Sequence, residues 1–260
     1  MLQLDYYHRL VEANDSLHLV RSIADLDYVI ANNKTGIVVL MEGADPIRRP
    51  DELAAWHERG LRLIGLAWDD TRYAAGAWRN GSGGLTKHGH ALLVQMAAHR
   101  TILDLTHMSE QASMEALDLY DGAIVATHSN ARALLSNSER HLSDLQIQRI
   151  GERDGVIGTV LFNRFLSPHY TKGEPKSTVT LDHVVAQIDY VCQLLGDAAH
   201  VGIGSDFDGG FGAESIPAEL DSPTDLHKIG LKLGERGYSG ADVASIMGGN
   251  WVNLLRRAWG

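Results

Sequence analysis

Short apolar runs alternate with longer amphipathic stretches along most of this chain. We predict strands at six of the runs, at residues 37–41, 61–66, 102–105, 123–126, 156–161 and 201–203. We predict helices between and after them, at about residues 51–59, 87–98, 109–119, 143–153, 181–195, 224–236 and 239–259. Strand and helix in regular alternation are typical of a parallel sheet with right-handed crossovers. The sequence therefore predicts an α/β fold, with a (β/α) barrel as the first choice and an open doubly wound sheet as the second.

The predicted strands are too few for a closed barrel of this type, which has eight. The first thirty residues are predicted to be helical, with a polar break at Asn14-Asp15-Ser16 and a second short helix from about residue 22 to 31. Because the sequence has no repeat, low-complexity tract or linker, we expect one domain over residues 1–260, a barrel incomplete at its N-terminus. We further expect a fragment or a shortened paralogue, whose gap is filled by the opening helices or by a partner subunit.

Composition and charge argue against several classes of protein. The chain has 260 residues, 44% of them apolar and 22% charged, which is ordinary for a large globular domain. Its formal net charge is −10 and its basic residues are scattered, so nucleic acid and anionic membrane are poor partners. The single cysteine, Cys192, cannot form an intrachain disulfide and falls within an apolar helical pattern. With no membrane-length apolar run and no signal-peptide pattern, we expect a soluble, cytoplasmic protein.

Residues that can bind metals or move protons follow four of the predicted strands. Glu42 follows the first, His107 the third, His128 the fourth and Asp206 the last. Because the carboxyl ends of parallel strands lie on one face, two imidazoles and two carboxylates are expected to share a site. This set suits zinc or a similar divalent ion, and a carboxylate can bridge two metals. In the alternative interpretation, each histidine is a hydrogen-bonded turn residue, and Asp206 and Asp208 cap the next helix or hold the turn.

Two other features are weaker candidates. His88 and His90 have a spacing that suits one metal on a strand, but they lie in the first turn of a predicted helix, where their side chains diverge. We expect both to be exposed to solvent. The loop at residues 68–84, which contains Gly, Arg and two Trp residues, is predicted to be either a substrate lid or a long surface loop.

Five short segments resemble, in sequence and in order, those of the membrane (renal) dipeptidases and their bacterial relatives. The segments are Glu42-Gly43, Gly84-Leu85-Thr86, Leu103-Asp104-Leu105-Thr106-His107, Thr127-His128-Ser129-Asn130-Ala131-Arg132 and Gly204-Ser205-Asp206-Phe207-Asp208-Gly209. The resemblance covers the chain from about residue 30 to its end. It implies a TIM-like (β/α) barrel of the metal-dependent hydrolase type that binds two zinc ions.

The resemblance also implies a role for each matching residue. Glu42 would be the carboxylate that bridges the two zinc ions, and His107 and His128 would be ligands of one of them. Asp206 would be a ligand of the other zinc and would help to move protons. Glu42 and Asp206 are therefore the expected catalytic residues.

Three residues are expected to contact the substrate. Arg140, followed by His141, looks like the family's Arg-Asn pair, whose Arg holds the substrate carboxylate, although its spacing from His128 is one residue longer here. Trp68 stands where the family has a substrate-binding His, and a Trp side chain can donate but not accept a hydrogen bond. Phe162 stands where the family often has Tyr.

One departure from the family bears on the metals. The family's first strand carries a His-x-Asp pair that completes the second zinc site, and no such pair precedes Glu42. Asp5 and His8 have the wrong order and spacing and fall in a predicted helix. We therefore expect the second site to be weak or empty, so that one or two zinc ions bind per chain.

The resemblance implies a zinc-dependent hydrolase that cleaves the amide bond of a dipeptide with a metal-activated water. The alternative is a catalytically impaired family member or fragment that binds a metal or small ligand without turnover. A third possibility, an unrelated phosphate-binding barrel, is disfavoured because no Gly-rich phosphate loop with a Lys is visible. The expected partners are a small peptide substrate and further copies of the chain in a homo-oligomer.

Overall fold

The computed structural model describes residues 2–78 and 83–260. The chain divides into two compact units, here called the first unit (residues 1–123 with 255–260) and the second unit (residues 124–254). The α-helices over the described residues are α1 (Leu2–Glu12), α2 (Ile23–Ala31), α3 (Leu53–Glu58), α4 (Lys87–Ala98), α5 (Glu110–Leu119), α6 (Asp144–Glu152), α7 (Leu181–Leu195), α8 (His227–Arg236), α9 (Gly240–Ala244) and α10 (Asn250–Trp259). The strands are β1 (Leu17–Leu19), β2 (Thr35–Ile37), β3 (Val39–Glu42), β4 (Leu61–Gly65), β5 (Ile102–Asp104), β6 (Ile124–Ala126), β7 (Val156–Thr159) and β8 (Val201–Ile203).

The first unit contains two sets of parallel strands. Strands β1 and β2 pair with each other, and β3, β4 and β5 pair in that order. All five residues of β4 are buried, as expected for the central strand of a sheet covered on both faces. Glu42 lies opposite Gly65, and Gly65 lies opposite Asp104, so β3 and β5 end at the same level. This register brings the residues that follow both strands to one edge.

The second unit has a parallel set of its own, with β6, β7 and β8 paired in that order. Every residue of β6 and β7 is buried. Helix α6 begins with a capping box, in which Ser143 and Gln146 satisfy each other's backbone N–H groups. Helix α7 buries one apolar stripe, which includes Val184, Ile188 and Val191. The covered strands leave their carboxyl ends as the places where polar side chains can reach a ligand.

The predicted α/β class with parallel strands is confirmed. Each of the six predicted strands is present within two residues of its expected bounds, and α4 and α7 begin and end where predicted. Thr86 caps α4 by accepting a hydrogen bond from the backbone N–H of Gly89, at 3.1 Å, which explains why that helix starts where it does. The expectation of a single domain stays a prediction.

Two element predictions were wrong. The first thirty residues are not wholly helical, because Leu17–Leu19 forms a strand by pairing with β2, a partner that lies beyond that stretch. The last predicted helix is broken by a π-helical segment, Ser245–Gly249, in which Gly248 has a non-helical backbone. Glycine is among the poorest helix formers, so the pair Gly248-Gly249 favours a break at this point.

No helix in the described part of the chain combines the length and the apolar character that a bilayer crossing requires. The oligomeric state stays a prediction.

Candidate metal centre and substrate-binding residues

Glu42 and His107 form a close pair at the carboxyl edge of the strands in the first unit. Oε1 of Glu42 lies 3.1 Å from Nε2 of His107. The imidazole is buried, whereas the carboxylate is 39% exposed. A carboxylate and an imidazole that face each other with one side open are the kind of donor pair that holds zinc.

The turn after β5 positions His107. The carboxylate of Asp104 accepts a hydrogen bond from the backbone N–H of Thr106 at 3.0 Å, and the N–H of Met108 donates to the carbonyl of Leu105 at 3.1 Å. Between these bonds His107 adopts a left-handed backbone conformation, with φ of 69°. Such a conformation is uncommon for a residue with a side chain, and it persists only where the surrounding contacts hold it.

Two tryptophans surround the His107 ring. The indole Nε1 of Trp78 donates a hydrogen bond to Nδ1 of His107 at 2.9 Å. The ring of Trp68 lies with its centroid 5.8 Å from that of His107 and 6.3 Å from that of Trp78. Backbone hydrogen bonds from Ala77 to the His107 carbonyl, at 2.8 Å, and from Ser109 to the Ala75 carbonyl, at 2.9 Å, fix this part of the loop beside His107.

His128 lies at the corresponding place in the second unit, two residues after β6. Its side chain is buried, and its Nδ1 lies 2.9 Å from the hydroxyl of Thr127. That hydroxyl can accept a hydrogen bond from an Nδ1–H group, and in that tautomer the lone pair that can bind a metal is on Nε2. The backbone N–H of the neighbouring Ser129 donates a hydrogen bond to the carbonyl of Gly158 in β7 at 2.8 Å, so the pairing of the chain with β7 continues beyond the end of β6.

Two glycines let the strand ends of the second unit approach closely. A Cβ on Gly158 or on Gly204 would collide with the backbone carbonyl of Thr127, the residue just before His128. Asp206 follows Gly204 by two residues, is half-buried and has a left-handed φ of 55°. Its carbonyl accepts a hydrogen bond from the backbone N–H of Gly209 at 2.9 Å, which closes the turn around it.

Arg140 is buried, with 3% of its surface exposed. Its guanidinium donates to the backbone carbonyl of His128 at 3.0 Å and to the hydroxyl of Ser129 at 3.4 Å. Its Cζ also lies 5.1 Å from the centroid of the Phe165 ring, a cation–π distance. These contacts orient a permanently charged fork at the segment that carries His128.

His141, next to Arg140 in the sequence, is buried as well. Burial, reinforced by the charges of Arg140 and Arg132, lowers the pKa of the His141 imidazole to about 3. Its ring packs edge-on against Phe165, with centroids 5.0 Å apart. His141 is therefore neutral at working pH and packs as part of the interior.

Phe162 lies three residues after β7 and is half-buried between two other aromatic rings. It contacts Phe165 edge-on, with centroids 5.1 Å apart, and stacks on Phe211 with centroids 4.7 Å apart. Phe211 belongs to the loop that follows β8 and carries Asp206. The predicted substrate residue Phe162 thus has aromatic neighbours on both sides.

Several other sequence predictions can be placed. His88 and His90 are exposed on α4, as predicted. Asp5 and His8 lie on α1 and contact Arg59: the carboxylate pairs with its guanidinium, and Nε2 of His8 lies 2.9 Å from its carbonyl. Of the loop at residues 68–84, residues 79–82 lie outside the described residues, so the choice between a lid and a surface loop stays open.

Sequence reasoning did not single out Trp78, Phe165 or Phe211. Trp78 and Phe211 lie in loops that have no periodic pattern, and their only sequence signal is a large aromatic residue among glycines. Phe165 lies in a 3₁₀ turn after β7. Their positions next to His107 and Phe162 depend on backbone turns that local propensity does not reveal.

A family model described as membrane dipeptidase (peptidase family M19) matches residues 1–259. A protein of Klebsiella pneumoniae from the pqqA 5′ region is 32% identical over 253 residues, which cover 94% of this chain and 89% of that protein. Dipeptidase aclJ of Aspergillus oryzae is 29% identical over 260 residues, 97% of this chain but only 59% of that protein.

A solved structure extends the likeness to the fold. The crystal structure of a metallopeptidase from Rhodobacter sphaeroides, liganded with a phosphinate mimic of the dipeptide L-Ala-D-Ala, matches with a TM-score of 0.87 and 29% identity. The match covers 99% of this chain and 72% of that one. It confirms the predicted fold class, a (β/α) fold of the metal-dependent hydrolase type.

Proposed function

We propose that this chain, which belongs to the membrane dipeptidase family of metallopeptidases, hydrolyses the amide bond of a dipeptide with the help of bound zinc. The family resemblance drawn from five short segments is confirmed by the family match over residues 1–259. The dipeptide mimic bound by the Rhodobacter metallopeptidase supports a dipeptide as the class of substrate. The observation that carries the proposal is the 3.1 Å approach of the Glu42 carboxylate to the His107 imidazole at the ends of β3 and β5.

We assign Glu42, His107 and His128 as the ligands of one zinc ion. Two imidazoles and one carboxylate form a set found in catalytic zinc sites, which keep one position open for water or substrate. The Thr127 hydroxyl beside His128 supports the assignment, because ligating histidines usually hold their second nitrogen in a hydrogen bond. Zinc held by these residues would supply an acidified water molecule and would polarise the carbonyl oxygen of the substrate.

Among the residues that match the family's motifs, Glu42 and Asp206 would be the ligands of a second zinc ion. Asp5 and His8, on α1, both contact Arg59, which supports the expectation that they add nothing to this site. Two carboxylates alone make a poor zinc site, because zinc is normally held by three or four protein groups. We therefore propose weak binding at the second position.

Arg140 binds the terminal carboxylate of the dipeptide in this proposal. A guanidinium offers five N–H donors in a planar fork that matches the two oxygens of a carboxylate. The hydrogen bonds to the His128 carbonyl and the Ser129 hydroxyl hold the fork in place before substrate arrives. Orientation in advance reduces the entropy that binding would otherwise cost.

Asp206 moves the proton in this proposal. Its half-buried carboxylate, fixed by the turn to Gly209, takes a proton from the attacking water and passes it to the leaving amine. Trp68 and Phe162 contact the substrate through their rings, Trp68 from beside His107 and Phe162 from the segment that follows β7. Neither ring can accept a hydrogen bond from the substrate in the way that a His or Tyr would.

Hydrolysis of Ala-Ala by the zinc-loaded protein tests the proposal, with the Asp206→Asn variant and the Asp208→Asn variant measured in parallel. Asp208 is an exposed carboxylate two residues away in the same loop, so it is a matched control. We expect D206N to lower kcat by about 100-fold or more, the usual contribution of a general acid–base group, and D208N to behave like the parent. Zinc binding without hydrolysis of any dipeptide would instead favour the alternative, a family member that has lost its activity.

A further inference from the structure

Three phenylalanine rings in the second unit form a continuous row, here called the aromatic row, that starts at Arg140. The guanidinium carbon of Arg140 lies 5.1 Å from the centroid of Phe165. Phe165 contacts Phe162 edge-on, with centroids 5.1 Å apart, and Phe162 stacks on Phe211 at 4.7 Å and 26° between the ring planes. The row therefore leads from a buried cation to the loop that carries Asp206.

The burial of the rings changes along the row. Phe165 is buried, whereas Phe162 and Phe211 are only half-buried. Phe211 lies between Gly210, which has a φ of 85°, and Gly212. The stacked pair keeps part of its apolar surface in contact with water, and covering that surface with an apolar ligand group is favourable.

Cation and rings together fit one kind of ligand. We infer that the aromatic row binds the side chain of the C-terminal residue of the dipeptide, so that the preferred substrates carry a large apolar or aromatic residue at that end. This inference rests on the proposed function, in which Arg140 holds the terminal carboxylate. The side chain of the residue held at Arg140 then extends across Phe165 toward Phe162 and Phe211.

The length of the row selects for size. The guanidinium carbon of Arg140 lies 5.1 Å from the Phe165 centroid, and the Phe165 centroid lies 5.1 Å from the Phe162 centroid. A methyl group on the residue bound at Arg140 is too short to extend along the row, whereas a Leu side chain extends farther and a Phe side chain farther still. Each ring that the side chain covers removes apolar surface from water on both partners.

The inference is tested by measuring kcat/KM for three dipeptides, Ala-Ala, Ala-Leu and Ala-Phe. The measurements are made on the zinc-loaded parent protein and on the variants Phe211→Ala, Phe211→Leu and Phe207→Ala. Phe207 lies in the same loop as Phe211, so F207A measures the effect of loosening that loop. We expect the parent to favour Ala-Phe over Ala-Ala by about tenfold or more, the range of one well-filled apolar pocket. F211A should abolish most of this preference by lowering kcat/KM for Ala-Phe and Ala-Leu by a much larger factor than for Ala-Ala, and F211L should keep part of the preference.

Other outcomes overturn the inference. If F211A lowers kcat/KM for all three dipeptides by the same factor, as F207A does, Phe211 merely anchors the loop. If the parent hydrolyses Ala-Ala and shows no preference among the three, the aromatic row does not bind the side chain and the proposed function stands alone. If none of the dipeptides is hydrolysed, the proposed function fails and the inference fails with it.

Discussion

The indole N–H of Trp78 donates a hydrogen bond to Nδ1 of His107, at 2.9 Å. Because the indole nitrogen is only a donor, Nδ1 must accept, and a neutral imidazole then carries its proton on Nε2. Nε2 faces the Glu42 carboxylate at 3.1 Å, which can accept that proton in a hydrogen bond. Zinc ligation through Nε2 needs the lone pair of that nitrogen, so the ring proton must leave it. A proton that moves to Nδ1 ends the bond to Trp78.

Zinc binding should therefore change the fluorescence of Trp78. We expect titration of the chelated protein with zinc to change the tryptophan emission, because the indole loses its hydrogen-bonded partner. The Trp78→Phe variant should lose most of that change, and Trp56→Phe, which alters a tryptophan on α3, should keep it. An unaltered response in W78F would show that the Trp78–His107 hydrogen bond is independent of the metal.

Replacement of Arg140 should weaken the recognition of the substrate carboxylate. In R140M the fork and its charge are lost, and we expect kcat/KM for Ala-Ala to fall by roughly 100-fold, in line with the loss of a buried charged hydrogen-bond partner. The C-terminal amide of Ala-Ala, which has no charge to bind, should lose much less. Arg149→Met on α6 is the control and should leave both rates unchanged. Equal losses for the free acid and the amide in R140M would contradict the role of Arg140.

His141 should make the stability of the protein depend on pH. Its pKa is lowered to about 3 by burial, whereas an unfolded chain has a His pKa of about 6.5. The unfolded state thus binds more protons between these values, and the free energy of unfolding rises with pH in that window. Because of this one group, the free energy of unfolding should be about 2 kcal/mol higher at pH 7 than at pH 5.

The His141→Asn variant tests that dependence by urea unfolding at the two pH values. We expect the difference in unfolding free energy between pH 5 and pH 7 to be smaller in H141N than in the parent. The His88→Asn variant replaces an exposed histidine on α4 and should retain the parent's difference. The explanation fails if H141N shows the full pH dependence.

Gly204 should be intolerant of any side chain. A Cβ there would collide with the carbonyl of Thr127, a backbone atom that cannot move aside without displacing His128. We expect G204A to lower the free energy of unfolding by about 1–3 kcal/mol, the usual cost of overpacking, and to weaken zinc binding as well. The matched control is G234A on α8, where a Cβ meets no atom within 4 Å and alanine favours the helix. A G204A variant as stable as the parent would contradict the close approach.

The sequence predicted most of the fold because the strands and helices carry strong local signals. Helix α4 was predicted at residues 87–98, and it forms over Lys87–Ala98. Strand β1 could not be predicted, because only its pairing with β2 makes it a strand. The break before α10 had a signal in Gly248-Gly249, which the helical pattern around it outweighed.

The candidate site was predictable where it follows the strand ends. The rule that polar residues gather at the carboxyl ends of parallel strands picked out Glu42 and His107, and the structure brings these two together. Trp78 and Phe211 could not be found in this way, because they are placed by loop conformation. The 2.9 Å bond from Trp78 to His107 depends on the backbone hydrogen bonds between their two segments, which no local pattern encodes.

The central claim is that Glu42, His107 and His128 hold zinc. The most direct test is to measure zinc affinity by calorimetry on four proteins. The parent is compared with His107→Asn, His128→Asn and, as the control, His88→Asn. Loss of a group beside a ligand already lowers metal affinity 10- to 100-fold, so loss of a ligand should lower it by at least about 100-fold. We predict that loss for H107N and for H128N, with H88N equal to the parent. Zinc binding of parental affinity in both H107N and H128N would contradict the account.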